Sequence, residues 1–300
     1  MSAGDANWHG VHAVMVTPFR PDLSVDWDGL RANAQFLSKS TVDVLVCLGS
    51  EGEFYALTDD ERRRVCEVVV GAAAGRKPVI VGVSHSSTLA AQALAHHAAT
   101  SGASAIMATP PYFVRVDDEG ITLHYKAIAA AGLPVFIYNS PARVGFSLSP
   151  RQILALARAS GAVGVKQAAP DLSELAELLH FGPSSGFAII GGAEVTFWPS
   201  LCVGAHGNTA TAASAFPDVF AALWVAASEG DLRTGQSLYD RLAPLRRAYV
   251  LAGGQAPVVK HLMDLVGLTG GPVRPPLRPV SSEAKRLTDE VAAVLAERRV

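Results

Sequence analysis

The sequence predicts an α/β fold, a (β/α)8 TIM barrel with a C-terminal helical extension. Three observations carry that prediction. Eight short, apolar, β-branched runs recur along the chain. Helical patterns separate them. The length, 300 residues, suits one large barrel.

The strand runs are Val11–Val16, Val42–Leu48, Val79–Val83, Ala103–Ala108, Val135–Tyr138, Ala162–Lys166, Ala188–Ile190 and Gly207–Thr211. They lack apolar/polar alternation, which suits parallel strands buried on both faces. A doubly wound sheet, the runner-up, would use about six strands. Eight βα units favour the barrel instead. Between the runs lie helix starts. Thr58-Asp59-Asp60-Glu61 is a capping-box pattern, followed by Val65, Val68, Val69 and Ala72 on one face. Asp171 opens a helix with Leu172, Leu175, Ala176 and Leu179 at helical spacing, and Ser149-Pro150 opens another. Residues 1–230 are therefore expected to form the barrel. Residues 231–300 are expected to add a helical appendage, with helices near 231–251, 256–267 and 281–297 and a proline-rich link at Gly270–Pro279.

Composition excludes several classes. The chain is 49% hydrophobic and 17% charged, so it can bury a large core. Lys plus Arg is 25 against 27 for Asp plus Glu, so no nucleic-acid-binding face is expected. Cys47, Cys66 and Cys202 are widely spaced and match neither a metal motif nor a disulfide framework, as in a cytoplasmic protein. The N-terminal residues show no signal-peptide pattern, and no apolar run approaches the roughly 18 residues of a membrane span.

In such barrels, chemistry sits at the C-terminal ends of the strands. There the sequence places Gly49-Ser50-Glu51-Gly52-Glu53 after the second strand and Thr109-Pro110-Pro111-Tyr112 after the fourth. The fifth strand ends in Tyr138-Asn139-Ser140-Pro141-Ala142-Arg143, the sixth in Lys166-Gln167, and the eighth carries Asn208, Thr209 and Thr211. No His/Asp/Glu set has metal-ligand spacing, so neither metal nor cofactor is expected. The chain has six lysines. Lys39, Lys77, Lys126, Lys260 and Lys285 lie in helical or turn contexts, where a solvated face is the default. Lys166 alone ends an apolar strand. A buried lysine needs a reason, and a desolvated amine is a nucleophile. A structural ion pair is its alternative. A phenol at Tyr138, on the neighbouring strand, suits proton transfer, and Ser50 and Tyr112 extend a hydroxyl relay. Any one of these hydroxyls taken alone is more often a packed, satisfied group.

These motifs resemble the dihydrodipicolinate synthase / N-acetylneuraminate lyase superfamily of class I aldolases. The resemblance runs from Gly10–Phe19 through Gly49–Glu53, Thr109–Tyr112, Tyr138–Gly145 and Gly164–Gln167 to Arg274–Leu277. It implies that Lys166 forms the Schiff base and Tyr138 is the general acid/base. It makes Ser50 a relay hydroxyl and Tyr112 a residue lent across a dimer interface. It gives the Ser50–Gly52 turn, with Glu51 and Gly52, the carboxylate of a 2-oxo acid, and Thr209 a backbone carbonyl beside the lysine. It further implies a homotetramer, a dimer of dimers. Arg143 stands where synthases bind the carboxylate of the aldehyde partner; a structural or solvated arginine is the alternative. Two departures bear on the substrate. Glu51 replaces a threonine of the synthases, and Gly192-Ala193-Glu194 replaces a glycine followed by Asp. Either Glu51 points away from the oxo acid, or the second substrate differs. The expected function is a lyase joining or cleaving a 2-oxo acid, pyruvate foremost, and an aldehyde. Dehydration of a sugar-derived 2-oxo acid and non-catalytic oxo-acid binding are the alternatives.

Overall fold

The computed structural model describes residues 8–169, 171–183 and 186–296. Its strands are β1 Gly10–Val14, β2 Val44–Cys47, β3 Val79–Gly82, β4 Ala105–Ala108, β5 Val135–Asn139, β6 Gly164–Gln167, β7 Ala188–Gly191 and β8 Gly207–Ala210. They are hydrogen-bonded in sequence order and close into a barrel. Each observed strand falls on an expected run, with ends displaced by at most two residues. Element ends are where sequence patterns carry least information.

The helices are α1 Trp27–Ser38, α2 Asp59–Ala73, α3 Thr88–Thr100, α4 Asp118–Ala129, α5 Pro141–Val144, α6 Pro150–Ser160, α7 Leu172–Phe181, α8 Phe197–Val203, α9 Pro217–Glu229, α10 Leu232–Arg241, α11 Ala243–Ala252, α12 Ala256–Leu265 and α13 Ser282–Ala296. The expected caps are made. The Thr58 hydroxyl accepts from the Glu61 N–H, and Glu61 accepts from the Thr58 N–H at 2.9 Å. Ser149 and Gln152 form the same box at the start of α6. Asp171 caps α7 by accepting from the Ser173 N–H. Such caps satisfy amide groups that have no partner inside the helix.

The chain forms two compact units. The first comprises residues 1–10 and 78–209. There β5 and β6 pair in parallel, with Tyr138 opposite Lys166 and Asn139 opposite Gln167. Phe136, Ile137, Val165 and Ile189 fill its core. Gly164 is required there, because a Cβ would meet the Ala188 carbonyl oxygen at 2.7 Å and the Phe136 ring.

The second unit comprises residues 11–77 and 210–300. It holds β1, β2, α1, α2 and the C-terminal helices, of which α11 and α12 pack on α13. The single helix expected near 231–251 is two, α10 and α11, divided at Leu242. Pro244 explains the break, since it lacks an N–H and is tolerated only in a first helical turn. Position 297, the end expected for the last helix, lies outside the described residues. Among the described residues, no helix is long and apolar enough to cross a membrane.

Candidate active site

In the first unit, strand alternation sorts the side chains at the ends of β5 and β6. Gln167 reaches outward to the α7 carboxylate of Glu174 at 2.8 Å. Its neighbour Lys166 therefore projects from the opposite face, which lines the barrel. Tyr138 shares that face by register. The Lys166 ammonium lies 4.2 Å from the centroid of the Tyr138 ring. Both are buried, Lys166 at 5% exposure and Tyr138 at 6%. So the structure brings together the two residues on which the sequence placed the chemistry.

The remaining candidates of this unit lie on the loops after their own strands. Tyr112 is half-buried after β4, and the adjacent Phe113 is 98% exposed. Arg143 is exposed on α5, its N–H bonded to the Ser140 carbonyl. Thr209 is buried in β8. Glu194 is buried after β7.

In the second unit, β2 runs into a 3₁₀ turn at Ser50–Gly52. Ser50 and Gly52 are buried. The Gly52 N–H is used inside the turn, donating to the Gly49 carbonyl at 3.0 Å. The N–H groups of Ser50 and Glu51 open the turn, where a helix offers no internal acceptor. Two contacts hold this turn. Thr17 donates its hydroxyl to the Gly52 carbonyl at 2.7 Å. The Glu51 carboxylate accepts the N–H of Ala256, the first residue of α12, at 2.9 Å. Glu53 then takes a left-handed conformation, φ 56° and ψ 34°, and turns its side chain fully inward.

Glu53 anchors a charged cluster that the sequence did not announce. Its carboxylate pairs with the Lys260 ammonium and accepts the Arg274 N–H at 2.9 Å. Lys260 also donates to the Pro272 carbonyl at 2.7 Å and lies over the Phe19 ring. Arg274 forks onto Glu61 at 2.6 and 2.7 Å and donates to the carbonyls of Leu23 and Ala56. Burial pushes the Glu53 carboxyl above the usual carboxylate range, against the pull of the Lys260 charge. Burial likewise lowers Lys260 to about 8, with Glu53 opposing. The expectation of a solvated Lys260 is thus corrected: it is 1% exposed. The signal was present, because Lys260 lies among Val258, Val259, Leu262 and Met263, the same apolar setting that singled out Lys166. Lys39, Lys126 and Lys285 are exposed.

A second missed group is Asn139. It is fully buried and bonded to Leu148, Ser147 and Gln167.

Residues 7–296 match the profile of the dihydrodipicolinate synthetase family. The chain belongs to that family. It is 32% identical to the 4-hydroxy-tetrahydrodipicolinate synthase of Methanothrix thermoacetophila, over 97% of this chain and 98% of the relative. The crystal structure of the dihydrodipicolinate synthase from Aquifex aeolicus superposes with a TM-score of 0.90 at 27% identity, covering 96% of this chain and 98% of that one. The sialic acid aldolase of Ruminococcus gnavus superposes equally well, with a TM-score of 0.90 over 97% and 98% of the two chains. At 23% identity, that likeness speaks to the fold. As a member of this family the chain is an enzyme, a lyase of the class I, lysine Schiff-base type. Its relatives favour carbon–carbon bond chemistry over the dehydratase alternative.

Proposed function

We propose that the enzyme condenses pyruvate, or a close 2-oxo acid, with an aldehyde that carries a carboxylate, and that Lys166 is the Schiff-base lysine. The observation that carries this reading is the buried Lys166 ammonium, 4.2 Å from the Tyr138 ring. The Lys166 amine adds to C2 of the oxo acid, and the carbinolamine loses water to give an imine. The imine draws electrons from C3, so loss of a C3 proton gives an enamine instead of a high-energy carbanion. The enamine C3 attacks the aldehyde carbon, whose oxygen takes a proton to become a hydroxyl. Water then hydrolyses the imine and frees Lys166. Tyr138 carries protons to and from the carbinolamine and the new hydroxyl, with Ser50 and Tyr112 as relay hydroxyls.

Backbone N–H groups of the turn carrying Glu51 and Gly52 hold the oxo acid's carboxylate. The Glu51 side chain is engaged by the Ala256 N–H, which supports its pointing away from the substrate. Thr209 contributes its backbone carbonyl near the imine. Arg143 holds the aldehyde's carboxylate as a bidentate donor. The enzyme works as a cytoplasmic homotetramer in which Tyr112 completes a neighbour's site. The exposed Phe113 beside Tyr112 supports an interface at this loop.

The test is borohydride trapping with pyruvate, followed by peptide mapping. The expected adduct lies on Lys166 and is absent from Lys166→Ala. An adduct on another lysine, or none, overturns the assignment.

A further inference from the structure

The segment carrying Arg143 is closed by a single side chain. Asn139 ends β5, and its carboxamide bonds both backbone groups of Leu148. Its Oδ1 accepts the Leu148 N–H at 3.0 Å, and its Nδ2 donates to the Leu148 carbonyl at 3.0 Å. This paired contact fixes which end of the carboxamide is which. It also turns residues 140–147 into a loop with locked ends, including α5 and Arg143. The same Nδ2 donates to the Gln167 Oε1 at 2.9 Å, and Gln167 passes a bond on to Glu174 of α7. The Ala168 N–H donates to the Asn139 carbonyl at 2.8 Å. So the base of the Arg143 loop is tied to the strand that carries Lys166, one residue beyond the Tyr138–Lys166 pair. Asn139 is fully buried, and its carboxamide spends its hydrogen-bonding capacity on this closure.

We propose that Asn139 is a positioning residue that sets second-substrate specificity, by holding the Arg143 loop in register with Lys166. This rests on the reading that Lys166 forms the imine and Arg143 meets the aldehyde's carboxylate. Aspartate cannot substitute. It keeps the acceptor for the Leu148 N–H but sets an oxygen against the Leu148 carbonyl. Loss of Asn139 loosens the grip on the second substrate and leaves imine formation intact.

The experiment uses pyruvate with succinic semialdehyde, and butanal as the same four-carbon chain without the carboxylate. In Asn139→Ala and Asn139→Asp, KM for succinic semialdehyde rises about tenfold, the scale of a misplaced binding group. The pyruvate concentration for half-maximal borohydride trapping stays within about twofold, and the preference over butanal shrinks toward that of Arg143→Ala. A merely structural role shifts both constants together or neither, and either result overturns the proposal. Should these variants fail to fold, Gln167→Met carries the test. It removes only the cross-strand bond and the Glu174 contact, and an unchanged KM for succinic semialdehyde then overturns the proposal. Hydrogen exchange reads the closure without chemistry: the Leu148 amide is protected in the wild type and exposed in Asn139→Ala, and equal protection overturns it. Failure of wild-type trapping on Lys166 would defeat the functional reading alone, with the Leu148 exchange still deciding the closure.

Discussion

Lys166 and Lys260 are both buried, yet their neighbours differ in kind. Lys260 meets a carboxylate, a carbonyl and an aromatic face. Its charge is matched, and its amine is committed to structure. Lys166 lies over the Tyr138 ring, on the face that lines the barrel. A cation over an aromatic face is held by the ring's electron density. That distinction is why Lys166, and not Lys260, is proposed as the Schiff-base lysine. It also isolates the contribution of the Tyr138 hydroxyl. Tyr138→Phe keeps the ring under the ammonium and removes only the hydroxyl. Steady-state assays should show kcat lowered by about 10²-fold, the usual scale for a placed acid/base. Near-wild-type turnover would reassign the proton transfer to another group.

At the level of elements, the β2–α2 loop and the C-terminal segment are one construction. Glu53, Lys260 and Arg274 come from three separate stretches of the chain, and Glu53 and Lys260 meet out of water. A buried ion pair is costly to break and often cheap to replace whole. Lys260→Ala should therefore destabilise the fold by about 3–5 kcal/mol in urea denaturation, because Glu53 is left charged and unmatched. The double variant Glu53→Leu/Lys260→Met should recover most of that loss. A double variant as unstable as the single one would mean that packing, not charge matching, dominates here. Composition and periodicity made the helices visible but not this cluster. Glu53 sits in a loop where polar residues are ordinary, and its partner lies on α12 near the far end of the chain. Long-range charge pairing has no local signature. Asn139 was hidden for a similar reason: its position was read from the motif around Tyr138, but the Leu148 backbone it closes on has no side-chain pattern to reveal.

For the whole molecule, the barrel was legible because most strands are runs of apolar residues and several helix starts carry a side-chain cap. The juxtaposition of Lys166 and Tyr138 was legible because both end neighbouring strands. Stability against acid was not legible, since it depends on burial. His124 on α4 is 1% exposed, with Nδ1 bonded to the Thr88 hydroxyl. Its Nε2 has no hydrogen-bond partner among the described residues. Burial, with a smaller contribution from the His85 charge, lowers its pKa from 6.5 to about 4. Between those values the unfolded chain binds the extra proton and the folded chain does not, so stability rises with pH across this window. Acidifying from pH 7 to 4 should cost up to about 3 kcal/mol through this one group. Urea denaturation across that range should show a shallower loss in His124→Gln than in the wild type. Parallel curves would place the acid sensitivity elsewhere.

The Glu53 cluster also bears on how the chain is born. A ribosome releases Glu53 early, while Arg274, whose amide meets that carboxylate, lies 221 residues downstream. Until the last stretch of chain emerges, the nascent protein holds an acidic group with no cation to bury it against. The contacts that bury Glu53 in the loop bearing Ser50 can therefore be made only once Lys260 and Arg274 have emerged.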